Sequence, residues 1–251
     1  MGSAPEIILY TNHRCPCNCS TIIKIYAKKL TFHSDAHRAH IALEELELPF
    51  TEEIIDLDAP RSEEYLAINP RGLVPSMKYN GEIFTESAIV SYFLADSYPG
   101  KLLPASSSPG GAQIRARIQF FVDTYFTKLQ PLIFQYMGAK TEEERDSLTD
   151  TAIENVVKEL EPLLKDANPF FGGHNNIGLA EVLAGSFVMR LVSLSEADVY
   201  PKRLGTSLAE RAPNFWAWAK ATSKHPSVTC IYNEEAVISS TKVRMANARA
   251  A

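Results

Sequence analysis

The spacing of apolar positions divides the chain into two parts. Up to Pro104, short apolar runs typical of strands alternate with segments whose apolar residues recur every three or four positions, as on one face of a helix. Strands are predicted over Glu6 to Tyr10, Phe50 to Leu57, Ser76 to Tyr79 and Glu82 to Thr85, and helices over Ala36 to Leu46, Ser62 to Ile68 and from Ala88 onward. The predicted order is therefore β-α-β-α-β-β-α.

The pattern after Pro104 is helical throughout. Residues 105–111 (ASSSPGG) are small and flexible and mark the boundary between the parts. Helices are predicted over Ala112 to Met137, Thr141 to Leu164 and Leu179 to Leu194, and a further short helix begins at Pro213. We therefore predict an α/β domain over residues 1–104 and an all-helical domain over residues 112–251.

Residues 69–87, NPRGLVPSMKYNGEIFTES, combine several strong local signals. A loop ending in Val74-Pro75 precedes a hairpin with Asn80-Gly81 at its turn, and Glu86-Ser87 opens the next helix. Such an arrangement suits a small extended peptide. Its backbone would pair beside Val74, and an amino-acid end would meet the helix N-terminus, the Ser87 hydroxyl and the Glu86 carboxylate. The alternative is a hairpin and a helix cap without a ligand.

This stretch resembles the glutathione-binding half of cytosolic glutathione transferases. The resemblance implies a thioredoxin-like domain with a mixed four-stranded sheet, followed by the helical domain. It also implies a cis bond before Pro75 and glutathione as cosubstrate. The Val74 backbone would pair with the cysteinyl part of glutathione, and Glu86 and Ser87 would hold its γ-glutamyl end.

Cys15-Pro16, together with Ala36-His37-Arg38, resembles the active-site motif of the omega class and its fungal relatives. The resemblance implies that Cys15 forms a mixed disulfide with glutathione, because a cysteine at a helix N-terminus has a lowered pKa and attacks as thiolate. Arg61 lies where the omega class places a lysine that contacts glutathione. We expect the cosubstrate pocket between the domains, with Phe121 and Tyr125 in its lining.

An insertion, Cys17 to Asp35, replaces the single aromatic residue of the family motif. Its length is that of a short retained intron, and, if translated, it separates Cys15 from the helix that would activate it. Cys15, Cys17 and Cys19 have neither the spacing of a metal-ligand pair nor that of a redox CxxC motif. His37 and His40 are expected on a solvated or packed helix face. We therefore expect no metal ion.

Composition restricts the partners. The 251 residues are 45% hydrophobic and 22% charged, with a net charge of −5, which argues against nucleic acid or an anionic membrane. No secretory signal and no apolar run of membrane-spanning length is present. Four cysteines, three of them clustered, do not form a secreted disulfide framework, so a reduced, cytoplasmic protein is expected. The resemblance further implies a homodimer.

The sequence leads to two functional hypotheses. The first is a glutathione S-transferase that carries out thiol transfer or conjugates small electrophiles, in detoxification or in fungal secondary-metabolite biosynthesis. The second is a catalytically impaired glutathione-binding or scaffold protein on the same fold, because the insertion displaces the catalytic turn. Loss of thiol transfer on Cys15→Ser distinguishes the enzyme from the binding protein.

Overall fold

The computed structural model describes residues 4–13, 34–57 and 59–250. Its first part contains strands β1 (Ile7–Thr11), β2 (Thr51–Ile54), β3 (Ser76–Tyr79) and β4 (Glu82–Thr85), and helices α1 (Ser34–Glu45), α2 (Glu63–Ile68) and α3 (Ser87–Ser97). The sheet order is β2-β1-β3-β4, with β1 parallel to β2 and antiparallel to β3. The predicted α/β part with a mixed four-stranded sheet is confirmed.

Local chemistry explains several of these boundaries. Ser62 caps α2, because its side chain accepts a hydrogen bond from the Tyr65 backbone N–H. The hairpin between β3 and β4 turns at Asn80 and Gly81, both at positive φ, and these two residue types tolerate that conformation. Both strands of this hairpin have the predicted bounds. The last two residues of the predicted insertion begin α1; the rest of it lies outside the described residues.

All secondary-structure elements named from Gly111 onward in the described structure are helices. The α-helices of this second part are α4 (Gly111–Thr124), α5 (Gln130–Gly138), α6 (Glu142–Asn155), α7 (Leu179–Glu196), α8 (Lys202–Arg211), α9 (Pro213–Ser223), α10 (Pro226–Thr229) and α11 (Glu234–Ala250). The predicted helix from Ala112 to Met137 is α4 and α5 joined by a π-helical segment, Tyr125–Leu129. Pro131 follows that segment, and a proline cannot continue the regular hydrogen-bond ladder.

One core connects the two parts. Buried apolar residues from β1, α1 and β3 belong to the same cluster as those of α4, α7 and α9. Helix α7 is buried along most of its length and packs against α1, α4 and α9. The linker is tight where α4 begins, since a side chain at Gly111 would come within 2.1 Å of the Ala105 carbonyl oxygen. None of the described helices combines the length and apolar character needed to cross a bilayer.

Candidate glutathione site

The loop before β3 is held by side chains of α2 and the residues around it. The Tyr65 hydroxyl donates to the Leu73 carbonyl (2.5 Å), and Asn69 Nδ2 donates to the same oxygen (2.9 Å) and to Ser76 Oγ (3.1 Å). Burial raises the pKa of the Tyr65 phenol, so it remains a donor. These bonds fix the loop on both sides of Val74.

Arg61 also serves this loop. Its guanidinium donates to the carbonyl of Gly72 (2.9 Å) and to those of Asp56 and Ala59 (both 2.7 Å). The structure therefore gives Arg61 backbone partners. A direct contact with glutathione, as the resemblance implies, would use the N–H groups of Nη2, which makes only a 3.5 Å contact with the Leu57 carbonyl. The Arg61 side chain therefore holds the backbone of this loop in place through its hydrogen bonds to carbonyl oxygens.

The Val74-Pro75 bond is cis, as the resemblance implies. The side chain of Val74 packs against Tyr10, Ala36 and Tyr65 in a small apolar cluster of its own. In the described part of the chain, the Val74 backbone N–H and C=O have no hydrogen-bond partner. An anchored residue with unpaired backbone groups can pair with an extended peptide.

The N-terminus of α3 lies at the other end of the hairpin. Glu86 precedes the helix at φ 69°, and its carbonyl accepts the first helical bond, from the Val90 N–H (2.9 Å). The Glu86 side chain makes no cap and instead forms an ion pair with Arg71 (2.5 Å). The N–H groups of the first turn therefore keep their capacity to bind an anion.

Arg38 on α1 contacts the first turn of α3 from the side of the core. The sequence did not identify it as a site residue. Its Nη1 donates to Ser87 Oγ (3.2 Å) and its Nε to the Leu183 carbonyl of α7 (2.7 Å). Its guanidinium also lies over the rings of Phe126 and Phe187, at 4.4 and 4.8 Å. Because Ser87 Oγ accepts from Arg38, its own proton can be donated to a carboxylate. The only signal in the sequence was the Arg in AHRAH.

Of the remaining predicted site residues, the structure describes the two aromatic ones but not the cysteine. Phe121 and Tyr125 are fully buried: Phe121 packs against Phe171 and Trp218, and Tyr125 against Phe126. They belong to the core, which is where most of an aromatic helical stripe is expected. Cys15 lies outside the described residues.

Comparison with known proteins agrees with this geometry. Residues 34–97, from α1 to α3, match the family described as glutathione S-transferase, N-terminal domain. A curated relative, glutathione S-transferase omega-1 of Mus musculus, is 27% identical over 202 residues, which cover 77% of this chain and 73% of the relative. These matches support the glutathione S-transferase family for this chain. Omega-class proteins are among its relatives and structural neighbours.

Solved structures show that the glutathione S-transferase fold extends over both parts. Glutathione transferase Omega 3C of Trametes versicolor superposes with a TM-score of 0.70 at 19% identity, over 96% of this chain and 92% of the other. Rice GST1, solved in complex with glutathione, gives a TM-score of 0.74 at 24% identity, over 98% and 99% of the two chains. The helical part thus has the same fold as the corresponding part of these proteins.

Proposed function

We propose that this transferase-family protein binds glutathione across the loop and helix described above. The cysteinyl part of glutathione pairs with the Val74 backbone. Its γ-glutamyl carboxylate meets the first-turn N–H groups of α3 and the Ser87 hydroxyl, and its ammonium meets Glu86. The observation that carries the proposal is the unpaired backbone of Val74 at one end of the hairpin and the uncapped N-terminus of α3 at the other.

The proposed reaction is thiol transfer through Cys15. The Cys15 thiolate attacks the glutathionyl sulfur of a mixed disulfide, so that a Cys15–glutathione disulfide forms and the substrate thiolate leaves. The thiolate of a second glutathione then attacks this disulfide, which releases oxidised glutathione and restores the Cys15 thiolate. No other oxidant or reductant is needed. Conjugation of small electrophiles, in detoxification or in fungal secondary metabolism, would use the same glutathione site.

The binding step is tested by calorimetry with reduced glutathione and a matched serine pair. Ser87→Ala removes the hydroxyl that faces the ligand, and we expect affinity to fall about ten- to a hundredfold, the worth of one hydrogen bond to a charged group. Ser91→Ala is the control, because its hydroxyl bonds the Ser87 carbonyl one turn further along α3 (2.9 Å). Equal affinities in both variants would contradict the placement of the γ-glutamyl end.

The chemical step is tested with Cys15→Ser in a thiol-transfer assay on a glutathionylated peptide. Abolished turnover, together with loss of a glutathione adduct in the intact-protein mass, is the expected result. Normal glutathione binding with no thiol transfer in the unsubstituted protein would instead favour the binding or scaffold hypothesis. Turnover that survives Cys15→Ser would overturn the role of this cysteine.

The proposed homodimer is supported by large apolar side chains left in solvent. Ile83 on β4, Ile89 on α3 and Phe120 on α4 are exposed by 37%, 56% and 60%. A partner that covers them would remove apolar surface from water. Light scattering of the native protein and of Ile89→Asp tests this: we expect a dimer in the first and dissociation in the second. A native monomer would contradict the proposal.

A further inference from the structure

Three side chains that can bind a metal ion meet at one corner of the sheet. His13 follows β1, His40 lies on α1 and Glu52 lies on β2. His13 Nε2 is 3.0 Å and His40 Nδ1 is 3.1 Å from the same carboxylate oxygen, Glu52 Oε1. The three ligand atoms all lie within 4.8 Å of one another.

We propose that His13, His40 and Glu52 form a binding site for a divalent transition-metal ion, of which Zn²⁺ is the expected occupant. Two imidazoles and one carboxylate are a ligand set that zinc accepts, with a fourth position left for water. This site is separate from the proposed glutathione contacts at Val74 and Ser87, and its test does not depend on them.

The distances allow an ion with little rearrangement. Zinc binds nitrogen and oxygen ligands at about 2.0–2.2 Å, so tetrahedral neighbours lie roughly 3.3–3.5 Å apart. The two separations from imidazole nitrogen to Glu52 Oε1, 3.0 and 3.1 Å, would need to open by a few tenths of an ångström. Exposure of the His13 and Glu52 side chains, 40% and 28%, leaves an entry path and room for a bound water.

His40 has the surroundings of an oriented ligand. Its other ring nitrogen, Nε2, lies 3.1 Å from Thr11 Oγ1, and Phe50 packs against the ring at 5.8 Å. With Nε2–H donating to Thr11, the lone pair of Nδ1 faces Glu52, and such outer partners commonly fix metal-bound histidines.

The same contacts have an ion-free interpretation. Both rings could donate N–H groups to Glu52, with Thr11 donating to His40 Nε2. The two states differ in which ring nitrogen carries the proton, so binding of an ion requires a change of tautomer in the two imidazoles. The ion-free cluster is thus the result that the experiment has to exclude.

The experiment uses tag-free full-length protein, stripped with a chelator and titrated with Co²⁺ as a spectroscopic substitute for zinc. We expect one ion per chain, d–d absorption of a nitrogen- and oxygen-ligated site, and displacement by Zn²⁺. His13→Ala and Glu52→Gln should each weaken binding at least about tenfold, and Thr11→Val about ten- to a hundredfold through the lost ring partner. His174→Ala is the control, since this exposed histidine lies elsewhere.

Several results would overturn the proposal. One is the absence of a saturable Co²⁺ spectrum in the native protein. Another is binding that is unchanged in His13→Ala and Glu52→Gln. A third is a thiolate-to-cobalt charge-transfer band that disappears on substitution of Cys15, Cys17 and Cys19, which would assign the ion to the cysteines. His13→Ala alters an exposed side chain, so its fold should persist, and circular dichroism verifies this.

Discussion

Glu181 on α7 provides a sharp test of how the helical part is held together. This carboxylate is buried and accepts three hydrogen bonds. Oε1 accepts from the Phe171 backbone N–H (2.8 Å) and from Trp218 Nε1 (2.7 Å), and Oε2 accepts from the Gly178 N–H (2.9 Å). Because Gly178 has no side chain to cap α7, the carboxylate supplies much of the order at the start of this helix.

The magnitude follows from these bonds. Glu181→Ala leaves three buried donors without an acceptor, at about 1–3 kcal/mol each, and also leaves a cavity. Part of this loss is offset because a buried carboxylate no longer has to be desolvated, so we expect a net loss of about 3–5 kcal/mol. Glu181→Gln keeps one oxygen for two donors but turns its amide group toward the Gly178 N–H, which should cost about 1–3 kcal/mol.

Urea unfolding and thermal melting measure both variants. For a chain of this size 1 kcal/mol corresponds to about 2–4 °C, so Glu181→Ala should lower the melting temperature by about 6–20 °C. Glu196→Ala is the control on the same helix, because it removes only an exposed ion pair with Lys220 and should cost less than about 1 kcal/mol. Equal losses in the Ala and Gln variants, or a loss in Ala no larger than the control, would refute the reasoning.

Three further predictions concern single side chains. Tyr125→Phe should leave the free energy of unfolding in urea unchanged or raise it by up to about 1–2 kcal/mol, because the buried hydroxyl has no hydrogen-bond partner in the described structure. Altered steady-state kinetics in this variant would instead support a role for Tyr125 in the cosubstrate pocket. The pKa of His40, lowered from 6.5 to about 3, makes its neutral form a source of stability above pH 6.5 that is lost as pH falls toward 3. We therefore expect the free energy of unfolding of the chelator-treated native protein to fall between pH 6.5 and 3 by up to about 1.4 kcal/mol per pH unit more than that of His40→Gln. Parallel plots of unfolding free energy against pH for the two proteins would contradict this. Arg61→Met should cost about 2–3 kcal/mol in urea unfolding, since its bonds to backbone carbonyls are charge-assisted, whereas Arg71→Met should cost under about 1 kcal/mol; similar costs would reject the loop-holding role.

Features that depend on neighbouring residues were predictable. The β3–β4 hairpin follows from Asn80-Gly81, and the uncapped start of α3 from Glu86-Ser87 beside an apolar run. The long helices were also predictable because their apolar positions repeat. Helices α8 and α11 were not predicted: α8 buries only Leu204 and Leu208, and the end of α11, Ala246 to Ala250, has no apolar stripe.

Features that depend on tertiary contacts were not predictable in the same way. Arg38 meets Ser87 across 49 positions and Leu183 across 145, so no local pattern brings them together. His13, His40 and Glu52 come from three separate elements, and their spacing matches no sequence motif for metal ligands. Phe121 and Tyr125 lie on a helix whose register the sequence left open, and packing placed both inside.

The position of Arg38 has a consequence for how the whole molecule responds to a ligand. One guanidinium joins the turn at Ser87 to the N-terminal third of α7, so loosening of the α/β part would disturb the helices packed against it. Occupancy at Ser87 should therefore protect amides of α7 from hydrogen exchange, although no atom of α7 needs to touch the bound molecule. A fragment ending at the linker would also lack the carbonyl that Arg38 uses, and it would expose the face of α1 that α7 covers.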